Sequence, residues 1–206
     1  MESLGHRLIH DYGLPVYSYG AVCEFLEPQN TFSQSSSSPD NTDPCARFLP
    51  ANVPANVSVD KNIALAETLY NNWSLKGQSE PGSRGASASM LNYIRPQWFK
   101  EQTGDHGPMD YKYLTTDMRY DDFGNFNYGA VGAAIRYSGD TLLRVAGWIQ
   151  QRGNYAYLGE GTPPSSFLDA LSGVGGTYPY GDKPGDAVQI QNGVDYYNCR
   201  KEHPLK

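Results

Sequence analysis

Hydrophobic positions after residue 57 recur at steps of three and four residues, the spacing of one face of an α-helix. One such stripe follows Ser58, an expected N-cap, and consists of Ile63, Ala66, Leu69, Tyr70 and Trp73. A second stripe consists of Met90, Tyr93, Ile94 and Trp98. Pro96 is expected to interrupt this second helix, because proline lacks an amide hydrogen and clashes with the preceding turn.

The C-terminal third carries the two clearest helix signals. Ser138 precedes a stripe of Leu142, Leu143, Val145, Ala146 and Ile149, and Gly153 is a suitable stop. Asp186 precedes the last stripe, Ala187, Ile190, Val194 and Tyr197, with Gln189 in capping-box spacing. Gly193 costs this helix about 1 kcal/mol relative to Ala, so we predict close backbone packing there. These patterns predict a mainly α fold, or α+β with at most a small sheet.

Residues 1–57 differ in composition from the rest of the chain. Two short apolar runs, 14–19 and 21–26, could be strands, and a polar Ser-rich tract follows over 33–41. Prolines at 44, 50 and 54 interrupt the remainder. We therefore predict a Pro/Ser-rich extension or linker over 1–57 and one helical domain over 58–206.

The overall charge narrows the function classes. The 206 residues include 16 Lys and Arg against 22 Asp and Glu, a net charge of −6, which counts against nucleic-acid binding because such domains usually run basic. No apolar run approaches the ~20 residues of a membrane span, and no signal peptide is visible. The 16 Tyr and 22 Gly are compatible with a surface that stacks on sugars, although core packing is the commoner use of Tyr.

Cysteine and histidine spacing gives no metal motif. Cys23, Cys45 and Cys199 form no C-x-x-C pair, and no H-E-x-x-H occurs, so we expect neither a metal nor a cofactor. Cys23 and Cys45 could form a disulfide that closes the Ser-rich tract, which would imply an oxidising compartment. Three free thiols are the equal alternative.

The segment 103–129 carries most of the candidate chemistry. Asp110 and Asp122 are candidate paired carboxylates, of which one could be an acid and the other a base. Lys112 could stabilise a developing anion, Glu67 on the first helix is a substitute acid, and His106 stands beside this acidic segment. A solvated loop with an Asx-turn that leads into a helix is the alternative interpretation of these residues.

The order of five motifs resembles the bacterial polymorphic toxin type 44 family. They are Asn62-Ile63, Asp110-Tyr111-Lys112, the Gly-rich block 124–132, the block 143–150 with Ala146-Gly147 and Gln150, and Asp186 with Ile190 and Gly193. The resemblance covers about residues 58–200. Two positions depart from it: Asn127 replaces the family's His, and Met109 replaces its Trp. We assign substrate binding to the following residues: Asn125, Asn127, Tyr128, Gln150 and His106.

The resemblance implies an antibacterial effector that a secretion system, such as type VI, delivers into a target cell. It also implies a cognate immunity protein and a junction to a delivery component in the extension. We favour a periplasmic peptidoglycan hydrolase that cuts glycan strands with paired carboxylates. A metal-independent cytoplasmic RNase is the first alternative, using Asp110, Lys112 and His106, with Arg136, Arg144 and Arg152 recurring at eight-residue steps. A non-enzymatic secreted adaptor is the second.

Overall fold

The computed structural model describes residues 43–76, 84–115, 118–153 and 158–205, with backbone alone for Lys76 and for 84–90. Within these ranges it contains six α-helices and no strand, and Thr162 and Thr177 form an isolated β-bridge. The helices are α1 (Val59–Lys76), α2 (Arg84–Thr103), α3 (Asp121–Ala134), α4 (Gly139–Gln150), α5 (Phe167–Leu171) and α6 (Pro184–Glu202). The prediction of a mainly α fold is confirmed. None of the described helices has the length and apolar character that a membrane crossing requires.

Helices α3 and α6 form the centre of the domain, and they run parallel. At one end of the pair Lys183 contacts Asp121, and at the other end Arg136 donates a hydrogen bond to Tyr197. The helices touch through backbone, because a Cβ on Gly129 would overlap the Ile190 carbonyl and one on Gly193 would overlap the Phe126 carbonyl. Close backbone packing at Gly193 was predicted and is confirmed.

Several element boundaries differ from the sequence prediction. Pro96 lies inside α2 without ending it, because Phe99, one turn later, is buried against Tyr128 and this packing offsets the missing hydrogen bond. Helix α3 begins at Asp121, so Asp122 lies in its first turn and not in a solvated loop that leads into a helix. Helix α6 begins at Pro184, which needs no amide hydrogen in the first turn, and not at Asp186.

Two predicted N-caps are found in the structure. The Ser138 hydroxyl accepts a hydrogen bond from the Thr141 amide at 3.1 Å, at the start of α4. The Ser58 hydroxyl accepts one from the Lys61 amide at 3.3 Å, at the start of α1. Both helices therefore begin where a side-chain oxygen satisfies an amide that the helix leaves unpaired.

The segment 43–57 is attached to the helical domain. Cys45 forms a disulfide with Cys199 on α6, with Cα atoms 5.7 Å apart, so Cys45 is not paired with Cys23 in this structure. Cys23 lies outside the described residues. Asp43 accepts two hydrogen bonds from the Arg200 guanidinium, at 2.9 and 2.6 Å. The division of the chain at residue 57 stays a prediction, because 1–42, most of the predicted extension, also lie outside the described residues.

Candidate functional site

Six charged side chains gather where the N-terminal ends of α3 and α6 meet. We call them the acidic cluster; its members are Asp110, Lys112, Asp121, Asp182, Lys183 and Asp186. The Lys183 ammonium lies 3.3 Å from Asp121 and 3.1 Å from Asp186. The Lys112 ammonium is close enough to act electrostatically on Asp110, Asp182 and Asp186. The cluster therefore contains four carboxyl groups and two ammonium groups.

Asp182 is the most buried member, with 3% of its surface exposed. Its Oδ1 accepts a hydrogen bond from the Lys183 amide at 2.9 Å, whereas its buried Oδ2 has no hydrogen-bond partner in the described part of the chain. Burial, and after it the negative charge of Asp186, raise the pKa of Asp182 to about 7, against opposition from Lys183 and Lys112. A carboxyl group of this kind can donate or accept a proton at neutral pH.

Backbone packing on α4 holds Asp182 in place. Gly147 has no Cβ, and a Cβ there would overlap the carbonyl of Tyr180. The Gln151 amide group donates to the Gly181 carbonyl at 2.9 Å, and the Glu160 amide donates to the Asp182 carbonyl at 2.9 Å. The Ala146-Gly147 motif thus has a physical role: it lets the chain before α6 lie directly on α4.

Asp110 is the second buried carboxylate, with 9% exposure. Its Oδ2 accepts a hydrogen bond from the His106 amide at 2.9 Å, and its buried Oδ1 has no partner among the described residues. Burial raises the pKa of Asp110, and the positive charge of Lys112 opposes that rise. Asp110 and Asp182 therefore share Lys112 as an electrostatic neighbour, and each has one oxygen without a hydrogen-bond partner in the described part of the chain.

A buried amide network fixes the backbone beside Asp110. The Asn62 side chain donates to the Tyr111 hydroxyl at 2.9 Å and to Asn127 Oδ1 at 2.8 Å. The fully buried Asn127 then donates to the Met109 carbonyl at 3.3 Å. Both functional groups of the Asn127 amide are used inside the protein, an arrangement suited to positioning residues 109–111. Its predicted role in substrate binding stays a prediction.

The other predicted catalytic residues are not members of the acidic cluster. Asp122 is exposed on the first turn of α3, and its neighbour Asp121 makes the contact with Lys183. Glu67 accepts a hydrogen bond from Tyr197 at 2.8 Å, beside Arg136, at the far end of the α3–α6 pair. Because α3 spans 14 residues at ~1.5 Å each, that end is about 20 Å away. The structure brings Asp110 and Lys112 together and does not bring Glu67 to them.

The remaining predicted binding residues have different surroundings. Asn125 is half-buried on α3, and its Nδ2 has no partner within the described ranges. The Tyr128 hydroxyl donates to the Leu142 carbonyl at 3.3 Å, and burial and then the charge of Asp182 raise its pKa. Gln150 is half-buried on the last turn of α4, and His106 stacks on Tyr113. Their roles in binding stay predictions.

Three members of the acidic cluster, Asp121, Asp182 and Lys183, are not among the site residues predicted from the sequence. The available signal was the segment Gly181-Asp182-Lys183-Pro184, where a charged pair lies between a glycine and a helix-starting proline. Within the described ranges, no group of three or more His, Cys, Asp or Glu side chains is arranged to hold a metal ion.

A family model described as bacterial toxin 44 matches residues 81–199, more than half of the chain. The match includes every member of the acidic cluster, and it excludes Asn62 and Glu67. Neither the curated proteins nor the solved structures contain a match to the chain. The predicted resemblance is confirmed, and the chain belongs to the bacterial toxin 44 family, whose role is that of a toxin.

Proposed function

We propose that this toxin domain hydrolyses the glycan strands of peptidoglycan, with Asp182 as the general acid and Asp110 as its ionised partner. One observation carries the proposal: two buried carboxyl groups share the charge of Lys112, and the pKa of one is raised to about 7. Glycoside hydrolysis generally requires two carboxyl groups that are in different protonation states at the same pH.

In the proposed reaction, the protonated Oδ2 of Asp182 donates its proton to the glycosidic oxygen as the bond to the anomeric carbon breaks. Asp110 stabilises the positive charge that develops on the sugar, and water adds its hydroxyl to the anomeric carbon. The remaining proton of that water passes to Asp182, which returns the pair to its starting state. Burial raises the pKa of Asp110, and the positive charge of Lys112 opposes that rise and so favours the ionised form.

The charge of the cluster favours an uncharged polysaccharide backbone over RNA. Its four carboxyl groups outnumber its two ammonium groups, so a phosphate backbone would be repelled. The three arginines at eight-residue steps are engaged elsewhere. Arg136 contacts Tyr197, Arg144 pairs with Asp140, and Arg152 lies over the Trp148 ring. This distribution weakens the RNase alternative.

Substrate would reach the two buried carboxyl groups by displacing a side chain. Lys112 is the candidate, because it is half-exposed and packs over Gly124, where an added Cβ would lie 2.8 Å from its Cγ. Among the described residues it forms no direct ion pair with a carboxylate. Its displacement would therefore cost less than breaking the Lys183 ion pairs.

We further propose that the toxin acts in the periplasm of a target bacterium. The Cys45–Cys199 disulfide supports this location, because disulfides persist in oxidising compartments. Delivery by a secretion system such as type VI, through the N-terminal extension, and neutralisation by a cognate immunity protein complete the proposal.

The test expresses the full chain in bacteria with and without a periplasmic signal sequence, and scores growth and cell shape. Purified protein is then incubated with sacculi, and released reducing ends are measured. Asp182→Asn and Asp110→Asn are expected to abolish both activities. Glu202→Gln, the same charge change at an exposed position on the last turn of α6, is the matched control and should retain them.

Each alternative has its own outcome. Toxicity confined to the cytoplasm, with degraded total RNA, would replace the glycan proposal by the RNase. Full toxicity of both Asn variants would favour the non-enzymatic adaptor. Loss of activity in Asp122→Asn, but not in Asp182→Asn, would restore the carboxylate pair predicted from sequence.

A further inference from the structure

We propose that the rings of Tyr113 and His106 form a stacking platform for one sugar ring of the glycan strand, beside the proposed catalytic carboxylate Asp110. The inference rests on the proposed function and deepens it, because it names the residues that bind the substrate. Tyr113 is neither a member of the acidic cluster nor one of the substrate-binding residues predicted from the sequence. It lies in the 3-10 turn Tyr111–Leu114, directly after Lys112.

The two rings form a small exposed aromatic surface. Their centroids are 4.9 Å apart, with 33° between the ring planes. Tyr113 is 48% exposed, and His106 is also exposed. The Lys112 ammonium lies 5.9 Å from the centre of the Tyr113 ring, so the platform adjoins the acidic cluster. Tyr offers a large, rigid contact area at low cost in conformational entropy, as a binding surface requires.

The platform is tied to Asp110 by the backbone. His106 has a φ of 59°, in the left-handed region that few residues other than Gly adopt. Its amide donates to Asp110 Oδ2 at 2.9 Å, and the Asp110 amide donates to the Gly107 carbonyl at 3.0 Å. Strained backbone conformations of this kind cluster at binding and catalytic sites. Here the strained residue places its ring on Tyr113 and its amide on Asp110.

The chemistry of the surroundings selects a sugar ring as the occupant. The less polar face of a pyranose carries C–H groups that pack on an aromatic ring, while its hydroxyl groups remain free to bond to the carboxylates nearby. A nucleobase would also stack on Tyr113, where Lys112 adjoins the ring, but the four carboxyl groups of the cluster outnumber its two ammonium groups and would repel the phosphates. A neutral sugar meets no such repulsion.

The experiment measures binding of chitotetraose, a soluble β-1,4-linked N-acetylglucosamine oligomer, to the full chain by titration calorimetry. Tyr113→Ala is expected to weaken binding about tenfold, the equivalent of one aromatic contact. Tyr113→Trp keeps an aromatic ring and should retain binding. Tyr93→Ala, on α2 with 46% exposure, removes an equally exposed ring from another surface and should have no effect.

A second variant separates binding from folding. His106→Asn removes the imidazole, while Asn tolerates a positive φ, so the backbone hydrogen bond to Asp110 is retained. It should weaken binding without lowering the thermal midpoint. In sacculus digestion, Tyr113→Ala should raise the half-saturating substrate concentration and leave the maximal rate unchanged.

Equal affinity of Tyr113→Ala and the wild type for chitotetraose would overturn the inference, even if sacculi are cut. Binding of a poly-uridine oligonucleotide that depends on Tyr113, without binding of the sugar, would overturn it as well. Sugar binding that depends on Tyr113, in a protein that releases no fragments from sacculi, would support the platform and refute the proposed hydrolysis.

Discussion

The Cys45–Cys199 disulfide should dominate the stability of the domain. It links positions that are 154 residues apart, so the unfolded chain is restricted across most of its described length. A cross-link over a loop of this size lowers the entropy of the unfolded chain by about 17 cal/mol/K, or about 5 kcal/mol at 25 °C. Measured effects are often smaller, so we expect the Cys45→Ser, Cys199→Ser double variant to lose roughly 2–5 kcal/mol of unfolding free energy.

Other contacts hold the same segment less strongly. Arg200 forms a bidentate ion pair with Asp43, whose carboxylate is one-third exposed. The hydrogen bonds from Arg200 are the main cause of the lowered pKa of Asp43. Pairs with this much exposure contribute roughly 0–1 kcal/mol, or somewhat more with bidentate geometry. The disulfide therefore outweighs the ion pair, and Arg200→Lys should cost less than the double Cys variant.

The assay is urea unfolding of the full chain, followed by circular dichroism, with every variant carrying Cys23→Ser to prevent thiol exchange. The Cys23→Ser parent is the control, and treatment with dithiothreitol should bring it to the midpoint of the double variant. If the double variant loses less than about 1 kcal/mol of unfolding free energy, the disulfide does not have the proposed effect. A dithiothreitol treatment that also lowers the urea midpoint of the double variant would contradict the prediction as well.

Three further predictions concern the candidate site. Gly147→Ala should cost about 1–3 kcal/mol of unfolding free energy and abolish toxicity, because its Cβ would push the Tyr180 carbonyl and move Asp182; urea unfolding and growth assays check both. The pKa of Asp182 is about 7 in the folded state and near 3.8 in the unfolded chain, so the folded state binds more protons and its stability is lost as pH rises from 4 to 7. Asp182→Asn removes this loss and should raise the unfolding free energy at pH 8 by up to about 4 kcal/mol, with little change at pH 4; an equal change at both pH values would contradict the assignment. Asn127→Ala should lower the unfolding free energy by about 1–3 kcal/mol, because Asn62 loses the oxygen to which it donates. Asn127→Asp should restore that acceptor but not the donor to the Met109 carbonyl, so thermal unfolding should place it between Asn127→Ala and the wild type.

Local signals predicted the helices whose ends are set by local chemistry. A side-chain oxygen marks the starts of α1 and α4, and regular hydrophobic stripes follow both. Helix α3 carried no comparable signal, because it contains three glycines and two asparagines, which are weak helix formers. Its formation depends on α6, against which Gly129 packs by its backbone. Such tertiary stabilisation is not visible in the periodicity of one segment.

The candidate site, like the helices, could be predicted only in part from the sequence. Asp110 and Lys112 are two positions apart, so sequence proximity sufficed to associate them. Asp182 lies 70 positions after Lys112, in a loop that reaches the cluster only because Gly147 admits the Tyr180 backbone. The Cys45–Cys199 disulfide could not be predicted either, because the tertiary fold brings together two cysteines that are far apart in the sequence. Spacing along the chain gave no reason to prefer Cys199 over Cys23.

The parallel arrangement of α3 and α6 explains why these charges can gather and yet differ in protonation. The N-terminal ends of both helices meet at the cluster, and each favours negative charge by roughly 0.3–1 kcal/mol. Burial of Asp182 favours the neutral carboxyl group instead, and its effect is larger than that of the helix ends. Raising the pKa of Asp182 from 3.8 to about 7 corresponds to roughly 4 kcal/mol. Asp121 and Asp186 instead pair directly with Lys183. The fold thus places a carboxyl group with a raised pKa among ion-paired carboxylates, as the proposed proton donation to a glycan at neutral pH requires.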